Sequence, residues 1–90
     1  MVMKLDFASS TPIYQQIRDE IVQAVADGIF MDGDRLPTIR ALASEVGINT
    51  MTVNKAYQLL KQEGYIITDR RSGAIVQCAS GKKKAVERKV

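Results

Sequence analysis

Residues 49–64 read NTMTVNKAYQLLKQEG, and the two sides of this stretch ask for different surroundings. Val53, Ala56, Tyr57 and Leu60 recur at i, i+3, i+4 and i+7, which makes one apolar stripe on a helix and commits that side to a core. The other side carries Asn49, Thr50, Thr52, Asn54 and Lys55, crowded into the first turn and a half. An exposed helix ordinarily carries Glu, Lys and Arg. Thr and Asn form helix poorly, so their concentration here points to another requirement. Reading base edges in a DNA major groove is such a requirement, because short amides and hydroxyls match its donor and acceptor pattern without holding the backbone away.

The same helix is delimited at both ends. Asn49 suits the N-cap, and Gly64 suits the left-handed C′ position. Upstream, residues 39–46 form a shorter helix with Thr38 as N-cap after Pro37, an inner face of Leu42, Ala43 and Val46, and Gly47 as its end. Residues 47–49 then join two helices by a three-residue turn, a helix-turn-helix arrangement in which the second helix enters the groove and the first crosses the DNA backbone. Arg40, in the first turn of the first of these helices, is placed to reach a phosphate.

The surrounding chain completes a small domain. Thr11 and Pro12 are expected to start a first helix as N-cap and N1, with Ile13, Ile17, Ile21, Ala24 and Val25 as its stripe and Gly28 as its end. Ile29 and Phe30 are expected to anchor the loop at residues 31–34, a tight turn leading to a short strand near Arg35 and Leu36. After Gly64, residues 65–68 and 74–78 read as two strands around a turn at residues 69–73. The fold class is mainly α with a small β-hairpin wing: a winged helix-turn-helix of three helices plus two or three short strands. Residues 1–9 read as an N-terminal arm, residues 10–78 as the DNA-binding domain, and residues 79–90 as a basic tail that begins a dimerisation segment.

Composition narrows the function classes. The chain has 90 residues, 46% hydrophobic and 26% charged, enough for one modest core. Met1 to Phe7 is short and broken by Lys4 and Asp6, which does not suit a membrane span or leader, so a cytoplasmic protein is expected. A single cysteine, Cys78, cannot make an intrachain disulfide, and the absence of histidine removes zinc fingers, His-dependent triads and zincin sites. No cofactor, no metal and no catalysis are expected. Residues 1–69 hold six Lys or Arg against nine Asp or Glu, whereas residues 70–90 hold seven against one. The positive charge therefore follows the third helix, with Arg70 and Arg71 in the hairpin and Lys82 to Lys84, Arg88 and Lys89 in the tail.

These residues also carry a family resemblance. The order Pro12-Ile13-Tyr14-Gln15-Gln16-Ile17, then Gly33-Asp34-Arg35-Leu36-Pro37-Thr38 with Arg40, Leu42 and Ala43, then Thr52-Val53-Asn54-Lys55-Ala56-Tyr57, then Glu63-Gly64-Tyr65-Ile66 resembles the N-terminal winged-helix domain of GntR-type bacterial transcription regulators. The Asn-Lys-Ala-Tyr run is most similar to the YtrA-like branch, whose members dimerise through a small C-terminal helical segment. The resemblance implies a sequence-specific repressor of transcription. Its DNA contacts would fall on Arg40, on Asn49, Thr50, Met51, Thr52, Asn54 and Lys55 in the recognition helix, and on Arg70, Arg71 and Gly73 at the wing. The family wing commonly reads Arg-Arg-Gly-x-Gly; here Asp69 stands for the first arginine and Arg71 for the first glycine. Double-stranded operator DNA is the implied partner, with a homodimer in the full-length protein. The residues after Cys78 offer only Ala79, Ala85, Val86 and Val90 as apolar anchors, so the 90-residue chain is expected to be monomeric or weakly dimeric.

Plainer and rival readings stand beside these. Asp32 and Asp34 flank a glycine as turn residues do, rather than as a cation site. Tyr57 and Tyr65 are expected in the core rather than stacked on bases. Met51 is open between a thymine-methyl contact and a plain solvent-facing side chain. Lys82 to Lys84 read as a solvated tail, and Cys78 as a small apolar residue. A winged helix used as a protein-interaction module would show Leu, Phe or Trp where Asn and Thr stand. A DNA-reading head of a larger regulator fused to an aminotransferase-like domain is the other alternative, since that branch shares Ala-Tyr and Glu-Gly-Tyr.

Overall fold

A computed structural model describes residues 3–69 and 73–77. Its elements run α1 (Ile13–Ala26), α2 (Ile39–Val46), α3 (Thr50–Gln62), β1 (Ile66–Asp69) and β2 (Gly73–Val76). The two strands pair antiparallel, with Ile66 opposite Val76, Ile67 opposite Ile75, Thr68 opposite Ala74 and Asp69 opposite Gly73. Arg35 makes an isolated antiparallel bridge to Ile75, and the Leu36 N–H bonds the Ala74 carbonyl at 2.9 Å, so the expected third strand is present at its minimum length. Arrangement and order are those of a winged helix-turn-helix.

The stripes read from periodicity meet in one core. Ile17 and Ile21 of α1, Leu42 and Ala43 of α2, and Val53, Ala56, Tyr57 and Leu60 of α3 are buried together with Leu36, Ile66, Ala74 and Val76. Ile13, Val25, Val46 and Tyr65 are half-buried against that cluster, as a stripe edge should be. Both caps of the helix-turn-helix form as expected. Thr38 Oγ1 accepts the Ala41 N–H at 3.0 Å, and Asn49 Oδ1 accepts the Met51 N–H at 2.7 Å. Between them Gly47 sits at φ 73°, ψ 38°, a left-handed conformation that lets the chain reverse within three residues. At the far end of α3 the Tyr65 N–H bonds the Leu60 carbonyl and the Gly64 N–H bonds the Lys61 carbonyl, closing a Schellman turn.

Three expectations shift. Helix α1 is capped by Pro12, not Thr11, because Thr11 is held in the preceding turn: its N–H bonds Ser9 Oγ at 3.1 Å and its carbonyl accepts Gln16 Nε2 at 2.8 Å. Ile29 does not anchor the loop; it is 69% exposed, and Phe30 alone packs against the core. The backbone of both residues closes the end of α1, the Ile29 and Phe30 N–H groups bonding the Ala24 carbonyl at 2.9 and 3.4 Å. The ladder reaches one residue further toward the turn on each strand than expected, with Asp69 and Gly73 as its last pair, while the Tyr65 N–H still terminates α3 and the second strand ends at Val76. Cys78 and the tail lie outside the described residues.

The N-terminal arm is tied down. Gln16 holds Asp6 by both backbone groups, accepting the Asp6 N–H at 2.7 Å and donating to its carbonyl at 2.9 Å. Met3 and Leu5 pack against the core beyond this clip.

Candidate nucleic-acid interface

Helix α3 is fixed in orientation by contacts on both flanks. On one flank the Tyr57 hydroxyl donates to the Pro37 carbonyl at 2.7 Å, which ties α3 to the entry of α2. On the other, Lys55 Nζ stands 4.4 Å from the centroid of the Tyr14 ring of α1, a cation–π contact. Near the end of α3, the Arg18 guanidinium pairs with Glu63 at 2.7 Å and with Asp19 at 2.7 Å. That pair is partly exposed and orients more than it stabilises.

With both flanks held, the remaining face of α3 is defined by helix geometry. At about 100° per residue, Met51, Lys55, Gln58 and Gln62 lie opposite the buried stripe, Lys55 being the one nearest α1. Thr50, Asn54 and Lys61 flank them on the side of α2. Thr50, Met51, Asn54 and Lys55 are all exposed, and Thr52 is half-buried on the α1 side. Gln58, exposed one turn beyond Asn54, is a residue that sequence reasoning missed, although it stands at i+7 from Met51 and i+4 from Asn54. It extends the same amide-bearing surface into a shallow open depression lined by Gln58, Lys61 and Gln62.

The other expected contacts separate by element. Arg40 is exposed at the second position of α2, and among the described residues no carboxylate pairs with it. Asn49 is exposed, and its side-chain oxygen already accepts the Met51 N–H, which leaves its Nδ2 donors and one lone pair of the oxygen for a base. Lys55 starts near the centre of the face, but its ammonium leans onto Tyr14, toward the α1 edge. Gly73 sits at φ 76° in the first residue of β2, a conformation that suits glycine and brings the two strands together at the wing. Arg70 and Arg71 lie outside the described residues. Among the described residues no group of His, Cys, Asp and Glu could hold a metal ion. Asp32 and Asp34 are turn residues: Asp34 Oδ2 accepts the Met31 N–H at 2.8 Å, and Gly33 between them has φ 92°. Among the described residues no helix is long and apolar enough to cross a membrane.

A capped helix-turn-helix followed by a β-hairpin, with one polar helix face left open, defines the winged-helix class of nucleic-acid-binding modules. Within that class the chain belongs to the gntR family of bacterial regulatory proteins, whose family model matches residues 13–76. Its relatives include the HTH-type transcriptional repressor YtrA of Bacillus subtilis, 41% identical over 75 residues that make up 83% of this chain and 58% of the relative. A solved structure of YtrA from Sulfolobus acidocaldarius, a GntR-family transcription factor, superposes with a TM-score of 0.80 at 48% identity, covering 83% of this chain and 64% of that one. The DNA-binding domain of AraR, solved in complex with operator ORE1, shares the fold with a TM-score of 0.71 at 24% identity, covering 84% of this chain and 93% of that one. The chain thus spans less than two thirds of the YtrA relatives it matches.

Proposed function

We propose that this domain is the operator-reading head of a bacterial transcription repressor. α3 enters the major groove and the wing approaches the adjacent minor groove. The observation that carries this reading is the exposed face of α3, where Thr50, Met51, Asn54 and Gln58 stand free while every apolar position of the opposite stripe is buried. Side chains that can donate or accept without charge read base edges, and Arg40 on α2 neutralises a phosphate beside them. Arg70 and Arg71 serve the wing, where guanidinium groups favour narrow A·T-rich minor grooves. Asn49 and Lys55 take lesser parts, the first as a cap with spare donors and the second at the phosphate wall.

The protein acts in the cytoplasm and catalyses no reaction. Its operator is read by two heads one helical turn apart, and that spacing is set by a dimer interface supplied by sequence beyond the winged helix, as the greater length of the relatives allows. The test is selection of binding sites from a random duplex library, followed by footprinting on the preferred sequence. A reproducible sequence preference with protection of major-groove positions is the expected result; salt-sensitive binding with no preference at all would reject a sequence-reading head.

A further inference from the structure

We propose that Met51 contributes to the specificity of this domain by reading the 5-methyl group of a thymine, an assignment that rests on the DNA-reading function above. Met51 is 75% exposed, yet it sits in the first turn of α3 opposite the buried stripe, at the centre of the open face. Its neighbours there are polar: Thr50 and Asn54 on one flank, Lys55 on the other, Gln58 two turns on. A lone apolar side chain among these does not make a docking patch for another protein, which needs a contiguous apolar area. In the major groove, thymine presents the one apolar group on the base edges, its C5-methyl.

Two local contacts prepare Met51 for this use. The Asn49 side chain holds the Met51 N–H at 2.7 Å, so the stem from which the thioether projects is fixed at the helix start. Lys55, one turn further along, would otherwise compete for the centre of the face, but the Tyr14 ring holds its ammonium at 4.4 Å from the centroid on the α1 side. The charge is thereby directed to the groove wall and the thioether to its floor. Thr50 and Asn54 flank Met51 with hydrogen-bonding groups, so the thymine lies beside bases read by amide or hydroxyl contacts.

The experiment removes one methyl at a time. A site is first selected from a random duplex library with the 90-residue chain, and each thymine of that site is then replaced singly by deoxyuridine, which differs only in lacking the methyl. For the parent, replacement at one thymine per half-site should weaken binding about three- to fivefold, the loss for one buried methyl. Met51→Ala should bind the parent site as weakly as the parent binds the deoxyuridine site, and should show no further loss on that replacement. The melting temperature should be the same for both proteins, because Met51 supports no core contact. The proposal is overturned if no thymine is sensitive, or if Met51→Ala keeps the full sensitivity. A library that yields no preferred sequence overturns the DNA-reading function and this proposal with it, whereas a preferred sequence indifferent to the methyl overturns the Met51 assignment alone.

Discussion

Tyr57→Phe should lower stability at neutral pH and raise it, relative to the parent, in strong alkali. The ring is 5% exposed and keeps its packing in the variant, so the change is confined to the hydroxyl and its 2.7 Å bond to the Pro37 carbonyl. Losing one such neutral hydrogen bond costs about 1 kcal/mol. For a domain of this size that is a fall in melting temperature of about 4–8 °C. Burial also pushes the Tyr57 phenol well above its ordinary value of 10.0. The folded state therefore holds this proton where the unfolded chain has released it. The stability contributed is whole below about pH 10 and is lost as pH rises, at about 1.4 kcal/mol per pH unit once the unfolded phenol has ionised. The phenylalanine of the variant has no proton to lose, so the two stability curves should cross near about pH 10.6, where that loss equals the roughly 1 kcal/mol hydrogen bond. Urea midpoints taken at intervals from neutral pH to about pH 11, at a common slope, would measure the gap. A gap that stays constant over that range would refute the buried-phenol reasoning, and no gap at neutral pH would refute the bond to Pro37.

What could be read from the chain and what could not divide along physical lines. Period 3.6 in residues 49–64 places Val53, Ala56, Tyr57 and Leu60 inside because a helix that buries one face must repeat at that spacing, and all four are buried. The caps at Thr38 and Asn49 were readable because each bonds a backbone N–H within three residues. Errors arose where a local preference competed with a nearby partner. Thr11 is a good N-cap in isolation, but its backbone was already engaged by Ser9 and Gln16. The contacts that define the candidate site were out of reach for a different reason. Lys55 over Tyr14 and Tyr57 to Pro37 join residues far apart in the chain, and no periodicity says which flank of a helix another element will cover. The polar face of α3 could be listed residue by residue, but the separation of Lys55 from its centre required α1 to be in place.

Four further results are expected. Arg40→Ala should weaken specific and random DNA binding alike and lower the salt slope by about one unit, since one fewer counterion is released; an unchanged slope would remove Arg40 from the phosphate contacts. Thr50→Ala and Asn54→Ala should each cost about 1–3 kcal/mol on the preferred site and almost nothing on random duplex, and a retained preference in both would move base reading elsewhere. Gly47→Ala should cost about 1–2 kcal/mol in urea denaturation, because an added Cβ meets nothing within 4 Å and the whole penalty is the left-handed backbone at φ 73°; a neutral substitution would mean the turn relaxes. The last result concerns assembly. The large exposed apolar side chains of the described residues are Phe7, Ile29, Met31, Met51 and Ile67, and with Met51 on the DNA-reading face four remain for an interface that buries about 1,200 Å² or more when stable. The 90-residue chain should therefore sediment as a monomer at low micromolar concentration and occupy one half-site. A dimer that survives dilution would mean that the arm around Phe7, or the loop carrying Ile29 and Met31, supplies an interface of its own, and the half-site spacing would then have to be explained from within the winged helix.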